Sequence, residues 1–442
     1  MSNANQGSNR SNLSMEPYKG VRDFYPEDQF IQDYIFNTWK KAVESFGYES
    51  YNASIIEPAE LYKAKSGQEI VNEQTYTFID RGDREITLRP EMTPTVARLV
   101  AKRKRESGYP LRLYSIPNVF RYERPQRGRL REHWQLNVDM FGVSNTFADL
   151  ELVEIAAHIM KSFGATQGDY TIKVSSRKLL NALFTNWYEL DQTQSHAMQK
   201  LIDRKSKISE DEFQSESEKI IGKPFTFLNF ENKHAIDNPE LSQALAIPTI
   251  KEAYEELRFV IESAKKQGIQ NIVFDQTIIR GFDYYTGFIF EVFDNHPENN
   301  RSLFGGGRYD DLLNLFTDEK VPACGFGMGD VTIADFLATR KLLPAYSPAS
   351  QIMLCIMDAQ IYDKASALAQ ELRNQGLKIA LNHSLRNIGD QIKNAEKLHI
   401  PFILIYGQDE ATMNTYKIKE LATGKEYTDI RDLPIYPTQI VA

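Results

Sequence analysis

FRYERPQRGRLREHWQLNVDMFG, residues 120–142, places Arg121, Arg124, Arg127, Arg129 and Arg131 between two strand-like runs, Arg112–Phe120 and Gln135–Phe141. Pro125 and Gly128 interleave with the arginines and favour a turn, so the segment predicts a hairpin whose loop is studded with guanidinium groups. Planar forks of N–H donors suit polyphosphate or RNA phosphate, where bidentate contacts outdo point charges. The wider window, Ala101–Arg131, holds ten Lys or Arg against Glu106 and Glu123. Its first part, Lys102–Arg105, reads equally well as a solvated face.

Outward from the hairpin, Pro26 to about Phe46 predicts a helix with Ile31, Ile35, Ala42 and Phe46 near one face and Gly47 as its stop. Strand signals follow at Tyr48–Ile56, ending at Pro58, and at Thr75–Ile79 and Glu85–Leu88. Irregularly spaced strands with helices between them predict an α+β domain on an antiparallel sheet rather than βαβ repeats. Residues 170–268 are richer in helical periodicity and predict an inserted helical module, dividing the sheet domain into 15–169 and 269–345. Strand patterns return at Ile272–Phe274 and Phe288–Phe293. Beyond the break at Leu343–Ala349, residues 350–442 predict a compact βαβαβ domain, with strands at Gln351–Met357, Lys378–Leu381 and Pro401–Tyr406. Residues 1–14, nearly all small and polar, predict a disordered tail.

With 442 residues the chain is too long for one core, and 42% hydrophobic with 25% charged residues fits an ordinary globular protein. A formal charge of -8 excludes a general basic field, so any nucleic-acid contact must come from local patches. Cys324 and Cys355 lie far apart without a CxxC or Cys/His cluster, which predicts a reducing compartment and no zinc site. No run approaches a transmembrane length, and a cytoplasmic protein is expected. The seven histidines are scattered, and His133 reads as structural.

The segment 120–142 resembles motif 2 of class II aminoacyl-tRNA synthetases, in the form seen in histidyl enzymes. The helix and Pro58-ended strand resemble motif 1, the dimer-forming segment, and TLRPEMT, residues 87–93, resembles an amine-binding segment. RGFDYYTG, residues 280–287, and FGGGRYDDL, residues 304–312, resemble signatures of histidyl-tRNA synthetases and their close relatives. Residues 350–442 resemble the anticodon-binding domain of class IIa synthetases. The resemblance runs from Tyr18 to about Pro437 and implies a class II catalytic domain with a helical insertion, plus a C-terminal α/β domain.

It also implies roles. Arg121 and Arg280 would act at the α-phosphate of ATP, with Arg121 also near the substrate carboxylate. Glu123 would read the adenine amino group, and Arg129 would hold the γ-phosphate. Glu91, Thr93 and Gln135 would bind the histidine ammonium, while Asp139 and Tyr285 recognise the imidazole nitrogens, with Tyr284, Tyr309 and Arg280 also part of the histidine site. Arg124, Gln126 and Arg131 would approach the acceptor end of a tRNA. The implied reaction joins L-histidine to tRNA(His) through a histidyl-adenylate, with Mg²⁺ accompanying ATP and a homodimer as the working form. One position departs from the family pattern. GFGMGDVTIADF, residues 325–336, has Thr332 where motif 3 places an arginine that stacks on ATP, so a compensating cation or altered backbone is expected beside it. A histidine-sensing regulatory subunit without catalysis, and a class IIa synthetase for another amino acid, are the competing readings. The C-terminal domain and the full arginine set weigh against the first, and RGFDYYTG against the second.

Overall fold

Alternation along Glu132–Phe141 fixes the architecture, because Leu136, Val138 and Met140 are buried on one face while Gln135, Asn137 and Asp139 line the other. In the computed structural model, which describes residues 13–63, 74–222, 225, 227, 228, 239–279, 284–299 and 301–435, this strand lies inside a nine-stranded sheet. The order across it is Glu49–Ser50, Leu111–Ser115, Glu132–Phe141, Ala323–Gly329, Ser302–Arg308, Phe288–Asp294, Tyr170–Ser176 and Ile272–Phe274, with Asn118–Phe120 also pairing with Glu132–Phe141. The central pairings are antiparallel, and only the pairings that add Glu49–Ser50 and Ile272–Phe274 are parallel.

Register sets the site. Asp139 lies opposite Gly325, Asn137 opposite Gly327 and Gln135 opposite Gly329. In the next pairing Gly325 faces Gly307 and Gly327 faces Gly305. One face of the sheet therefore carries a row of polar side chains beside a floor without Cβ atoms. The opposite face is covered by Phe147–Ser162, whose Leu152, Ile155, Ala156 and Ile159 are fully buried one or two turns apart. Pro248–Lys266 packs against that helix and against the sheet.

The first helix, Pro26–Glu44, begins with Pro at its N-terminus and Glu27 and Asp28 in the first turn, which favour the positive end of the helix dipole. It buries Ile35, Trp39, Ala42 and Val43, and Gly47 at φ +78° ends the run. The strand expected over Tyr48–Ile56 is confined to Glu49–Ser50, and Ile56–Pro58 pairs elsewhere. Ile56–Pro58, Glu85–Leu88 and Tyr76–Ile79 form a separate three-stranded antiparallel sheet. The helical stretch expected over 170–268 is also corrected at its start, since Tyr170–Ser176 is a strand of the main sheet. Helices Arg177–Asn186, Gln192–Asp203 and Glu210–Ile221 follow, around a core that includes Phe184, Leu201 and Phe213. Of the tail expected over 1–14, only 13 and 14 are among the described residues.

A second compact unit comprises Phe24–Ile31 and Pro344–Ala442, as far as these residues are described. Its sheet order is Ile379–Asn382, Ile352–Ile356, Phe402–Tyr406, Ile418–Glu420 and Glu426–Tyr427. The first three strands are parallel, as the βαβαβ pattern predicts, and the last two add an antiparallel edge that the periodicity did not indicate. Helix Tyr362–Asn374 packs on this sheet through Ala365, Ala369 and Leu372.

Arg308 belongs to the RYDD part of the signature, yet its strand position turns it away from the glycine floor. Its guanidinium donates to both oxygens of Asp149 at 2.9–3.2 Å and to the carbonyls of Val143 and Asn145 at 2.9 Å. Both side chains are almost fully buried. Breaking a buried pair by removing one partner leaves an uncompensated charge and costs about 3–5 kcal/mol. Asp149→Ala leaves Arg308 only the partly exposed Asp310, 3.2 Å away, as a carboxylate partner and is expected to lose about 3 kcal/mol of stability in urea unfolding, while a loss under about 1 kcal/mol would contradict this role for the pair.

Candidate active site

Three segments distant in sequence meet over the glycine floor: the turn into helix Thr93–Arg103, the long strand Glu132–Phe141 and the stretch 284–309. Glu91, Thr93, Arg121, Gln135, Tyr284, Tyr285, Gly305, Tyr309, Gly325, Phe326 and Gly327 line one cavity. Glycine is required at two places in this floor. A Cβ at Gly325 would stand 2.4 Å from the Tyr309 hydroxyl and 2.8 Å from Asp139 Oδ1, and one at Gly327 would stand 2.2 Å from Gln135 Nε2. The polar side chains lie flat across the strands only because those atoms are missing.

Asp139 is 2% exposed and accepts a hydrogen bond from the Tyr309 hydroxyl through Oδ1. Its Oδ2 is buried and has no hydrogen-bond partner among the described residues. Burial pushes the carboxyl up to about 7, opposed by the Tyr309 hydrogen bond and reinforced by the charge of Glu91. Glu91, itself 2% exposed, accepts a 3.1 Å bond from the Tyr284 hydroxyl. Tyr284 and Tyr285 meet at 4.9 Å between ring centroids, and Tyr309 packs against both. Gln135 Nε2 donates to Asn137 Oδ1 at 2.6 Å, and Asn137 Nδ2 donates to the Gln135 carbonyl at 3.0 Å. Asn137 was not singled out in the sequence, although alternation between Gln135 and Asp139 assigns it to the same face.

The arginines divide into three groups. Arg121 Nε donates to the Pro90 carbonyl at 2.9 Å, which ties the hairpin to the segment carrying Glu91 and Thr93. Arg129, 63% exposed along its side chain, comes within 3.6 Å of Glu123 Oε2, an oxygen that is buried with no hydrogen bond. At the tip, Gln126 and Arg129 exchange backbone hydrogen bonds of 3.0 and 2.9 Å around Arg127 and Gly128, with Gly128 at φ +78°. Arg124 and Gln126 are exposed there.

Arg131 is used differently from its expected role near a tRNA. Its side chain donates to the Glu123 carbonyl at 3.2 Å and to the Tyr18 hydroxyl at 2.9 Å, and its guanidinium lies 4.0 Å from the Tyr122 ring centre. Its backbone N–H bonds to Gly20 at 2.7 Å. This arginine fastens the segment 18–20 to the hairpin. His133, beside Arg121 and Arg22, is pushed down to about 3 by desolvation and those two cations, which holds it neutral. Arg280 lies outside the described residues.

Across this catalytic unit, residues 20–331 match the family model described as Histidyl-tRNA synthetase. The chain belongs to the histidyl-tRNA synthetase family. Residues 351–432 match a second model, described as Anticodon binding domain. The chain is 42% identical over 421 residues to a histidine–tRNA ligase of Leptospira biflexa, covering 94% of this chain and 95% of that one. It is 33% identical to that of Thermoplasma volcanium over 422 residues, covering 94% and 96%. In fold it is similar to the crystal structure of histidyl-tRNA synthetase from Nostoc sp. PCC 7120, with a TM-score of 0.77 at 24% identity over 94% of this chain and 97% of that one. Family membership removes the reading as a class IIa synthetase for another amino acid.

Ionising Asp139 in the folded, ligand-free protein costs free energy, because its folded pKa lies above the ordinary carboxylate range. The cost is absent below about pH 4, where the group is protonated in both states, and it is complete above about pH 7. Asp139→Asn is therefore expected to gain stability relative to the parent as pH rises from 5 to 8, read as the difference in melting temperature. A difference that stays constant with pH would contradict the assignment.

Proposed function

We infer that this chain joins L-histidine to tRNA(His) in two ATP-dependent steps. The observation that carries the reading is a buried carboxylate, Asp139, with one oxygen bonded to Tyr309 of the cavity lining and the other without a hydrogen bond among the described residues, beside a cavity that Glu91 and Arg121 also line. An imidazole N–H supplies the donor that Oδ2 lacks. Tyr285 meets the second ring nitrogen, and Glu91, Thr93 and Gln135 surround the ammonium, with Tyr284 holding Glu91 in place. A site built to hydrogen-bond both ring nitrogens rejects apolar analogues by ~10⁴-fold, because those leave its polar groups unpaired.

With the ring fixed, the histidine carboxylate points toward Arg121. A carboxylate oxygen attacks the α-phosphorus of ATP, the bond to the bridging oxygen breaks, and pyrophosphate leaves. Arg121 and Arg280 stabilise the charge on the α-phosphate, Arg129 holds the γ-phosphate, and Glu123 accepts from the adenine amino group. Phosphoryl transfer of this kind needs positioning and charge stabilisation rather than a protein base. A hydroxyl of the tRNA terminal adenosine then takes the histidyl group, and AMP leaves. Mg²⁺ enters with ATP and offsets phosphate charge.

Arg124 and Gln126, exposed near the hairpin tip, contact the acceptor end of the tRNA, and the second unit binds its anticodon. The three-stranded sheet exposes Ile56 and Phe78, on one face, by 48% and 45%, which supports a homodimer through that face. No helix among the described residues is long and apolar enough to cross a membrane.

Amino-acid-dependent exchange of labelled pyrophosphate into ATP, run with all twenty amino acids, tests the reading. Exchange is expected with histidine alone. Histidine binding by calorimetry, with neither exchange nor tRNA charging at millimolar Mg–ATP, would establish the regulatory reading instead. Gln126→Ala is expected to impair tRNA charging at least tenfold and leave exchange within twofold, since a tip residue meets the tRNA and not the amino acid. Equal losses in both assays would place Gln126 in the amino-acid site. Light scattering should give a dimer mass for the parent and a monomer mass for the double variant Ile56→Asp, Phe78→Asp; a dimer mass for the variant would locate the interface elsewhere.

A further inference from the structure

Helix Asp330–Thr339 directly follows the strand that carries Gly325 and Gly327 and presents no cation at its first turn, because Thr332 stands there and its hydroxyl is spent on the Leu303 carbonyl at 2.8 Å and the Gly329 carbonyl at 3.2 Å. The hairpin tip closes over this point, with a Cβ at Gly128 falling 3.7 Å from Thr332 Cγ2. Of the guanidinium groups gathered here, Arg127 is neutralised by Asp335, one turn along the same helix, through contacts of 3.0–3.1 Å. Arg301 is not neutralised. It immediately precedes the strand Ser302–Arg308 that receives the Thr332 hydroxyl, and it donates through Nη1 to the Arg127 carbonyl at 2.8 Å. Its own carbonyl accepts from Asp294 N at 3.3 Å, which fixes its backbone at the closure of the Phe288–Asp294 hairpin. Asp294, the buried carboxylate whose backbone bonds to Arg301, is taken by Arg340 at 2.6 Å and Asn299 at 2.9 Å. Arg301 is exposed and has no carboxylate partner among the described residues.

We propose that Arg301 binds the nucleoside triphosphate, supplying from the strand the guanidinium contact that Thr332 cannot supply from the helix. The assignment rests on the proposed ATP-dependent activation, but it concerns a different residue and can fail separately. A fork with one donor pinned to the hairpin backbone and the rest open is preorganised for phosphate oxygens or for the flat face of a base. It also joins nucleotide binding to the hairpin, since the same guanidinium holds both.

The test is steady-state pyrophosphate exchange and tRNA charging by Arg301→Ala, Arg301→Lys and Arg301→Ala combined with Thr332→Arg. Loss of one charge-assisted contact is expected to raise the KM for ATP about 10-fold to 100-fold in Arg301→Ala. The KM values for histidine and tRNA should stay within twofold. Arg301→Lys keeps the charge without the fork and is expected to fall between parent and Arg301→Ala, so it decides the matter if the alanine variant does not fold. Thr332→Arg in the alanine background should lower the KM for ATP again, and no recovery would overturn the equivalence of the two positions. An unchanged KM for ATP in the variants overturns the proposal, as does a rise confined to the KM for tRNA, which would make Arg301 an RNA contact. Absence of histidine-dependent exchange in the parent protein would instead remove the activation reading on which both depend.

Discussion

The site exists because Gly325 and Gly327 lack Cβ atoms. Each stands opposite a polar residue of the long strand, and each is crossed within 2.2–2.8 Å of its virtual Cβ by a side-chain atom of Gln135, Asp139 or Tyr309. An alanine at Gly325 would separate Asp139 from the Tyr309 hydroxyl, and one at Gly327 would lift the Gln135 amide off the sheet. Everything downstream, from the unsatisfied oxygen of Asp139 to the distance between Glu91 and the arginine hairpin, depends on that floor remaining flat.

Around the floor, charge is allocated by partner rather than by number. Five arginines in eleven residues look interchangeable in the sequence, yet Arg131 is fixed to Tyr18 and Tyr122, Arg127 to Asp335 and Arg121 to Pro90. Among the described residues, the exposed Arg124 and Arg301 have no carboxylate partner, and Arg129 approaches Glu123 only to 3.6 Å. The field that a polyanion meets at this face is therefore set by a few side chains whose neighbours decline to neutralise them.

Much of this was legible beforehand, and the exceptions have identifiable causes. Alternation in Gln135–Phe141 and the run Phe288–Phe293 indicated two of the central strands, because period-2 patterning is a local property, whereas the glycine-rich strands Ser302–Arg308 and Ala323–Gly329 carry too few side chains to show it. The resemblance supplied the pocket residues, and seven of the eight assigned to histidine lie on or beside one cavity in the structure, with Arg280 outside the described residues. Strand partners were not legible: Tyr76–Ile79 and Glu85–Leu88 have the same pattern whether they join the main sheet or form their own. Tyr170–Ser176 was lost in a helical average because the strand sits at the edge of a long helical stretch. Arg131 was expected at the acceptor end of a tRNA, and its partners Tyr18 and Gly20 were not legible because they lie more than a hundred residues away. Arg301 carries no local pattern at all, and its significance emerges only where the hairpin, its strand and the Thr332 helix converge.

The half-satisfied carboxylate has a consequence for the protein as a whole. A ligand that donates to Asp139 Oδ2 binds the folded chain and not the unfolded one, so it completes the core in the same act as it occupies the site. Resistance to heat and to proteolysis then rises with the concentration of that ligand, by RT ln(1 + [L]/Kd). A variant that filled the gap with its own atoms would gain this protection permanently and lose its responsiveness to the small molecule. Residual instability in the empty state is thus the thermodynamic form that recognition takes in this fold.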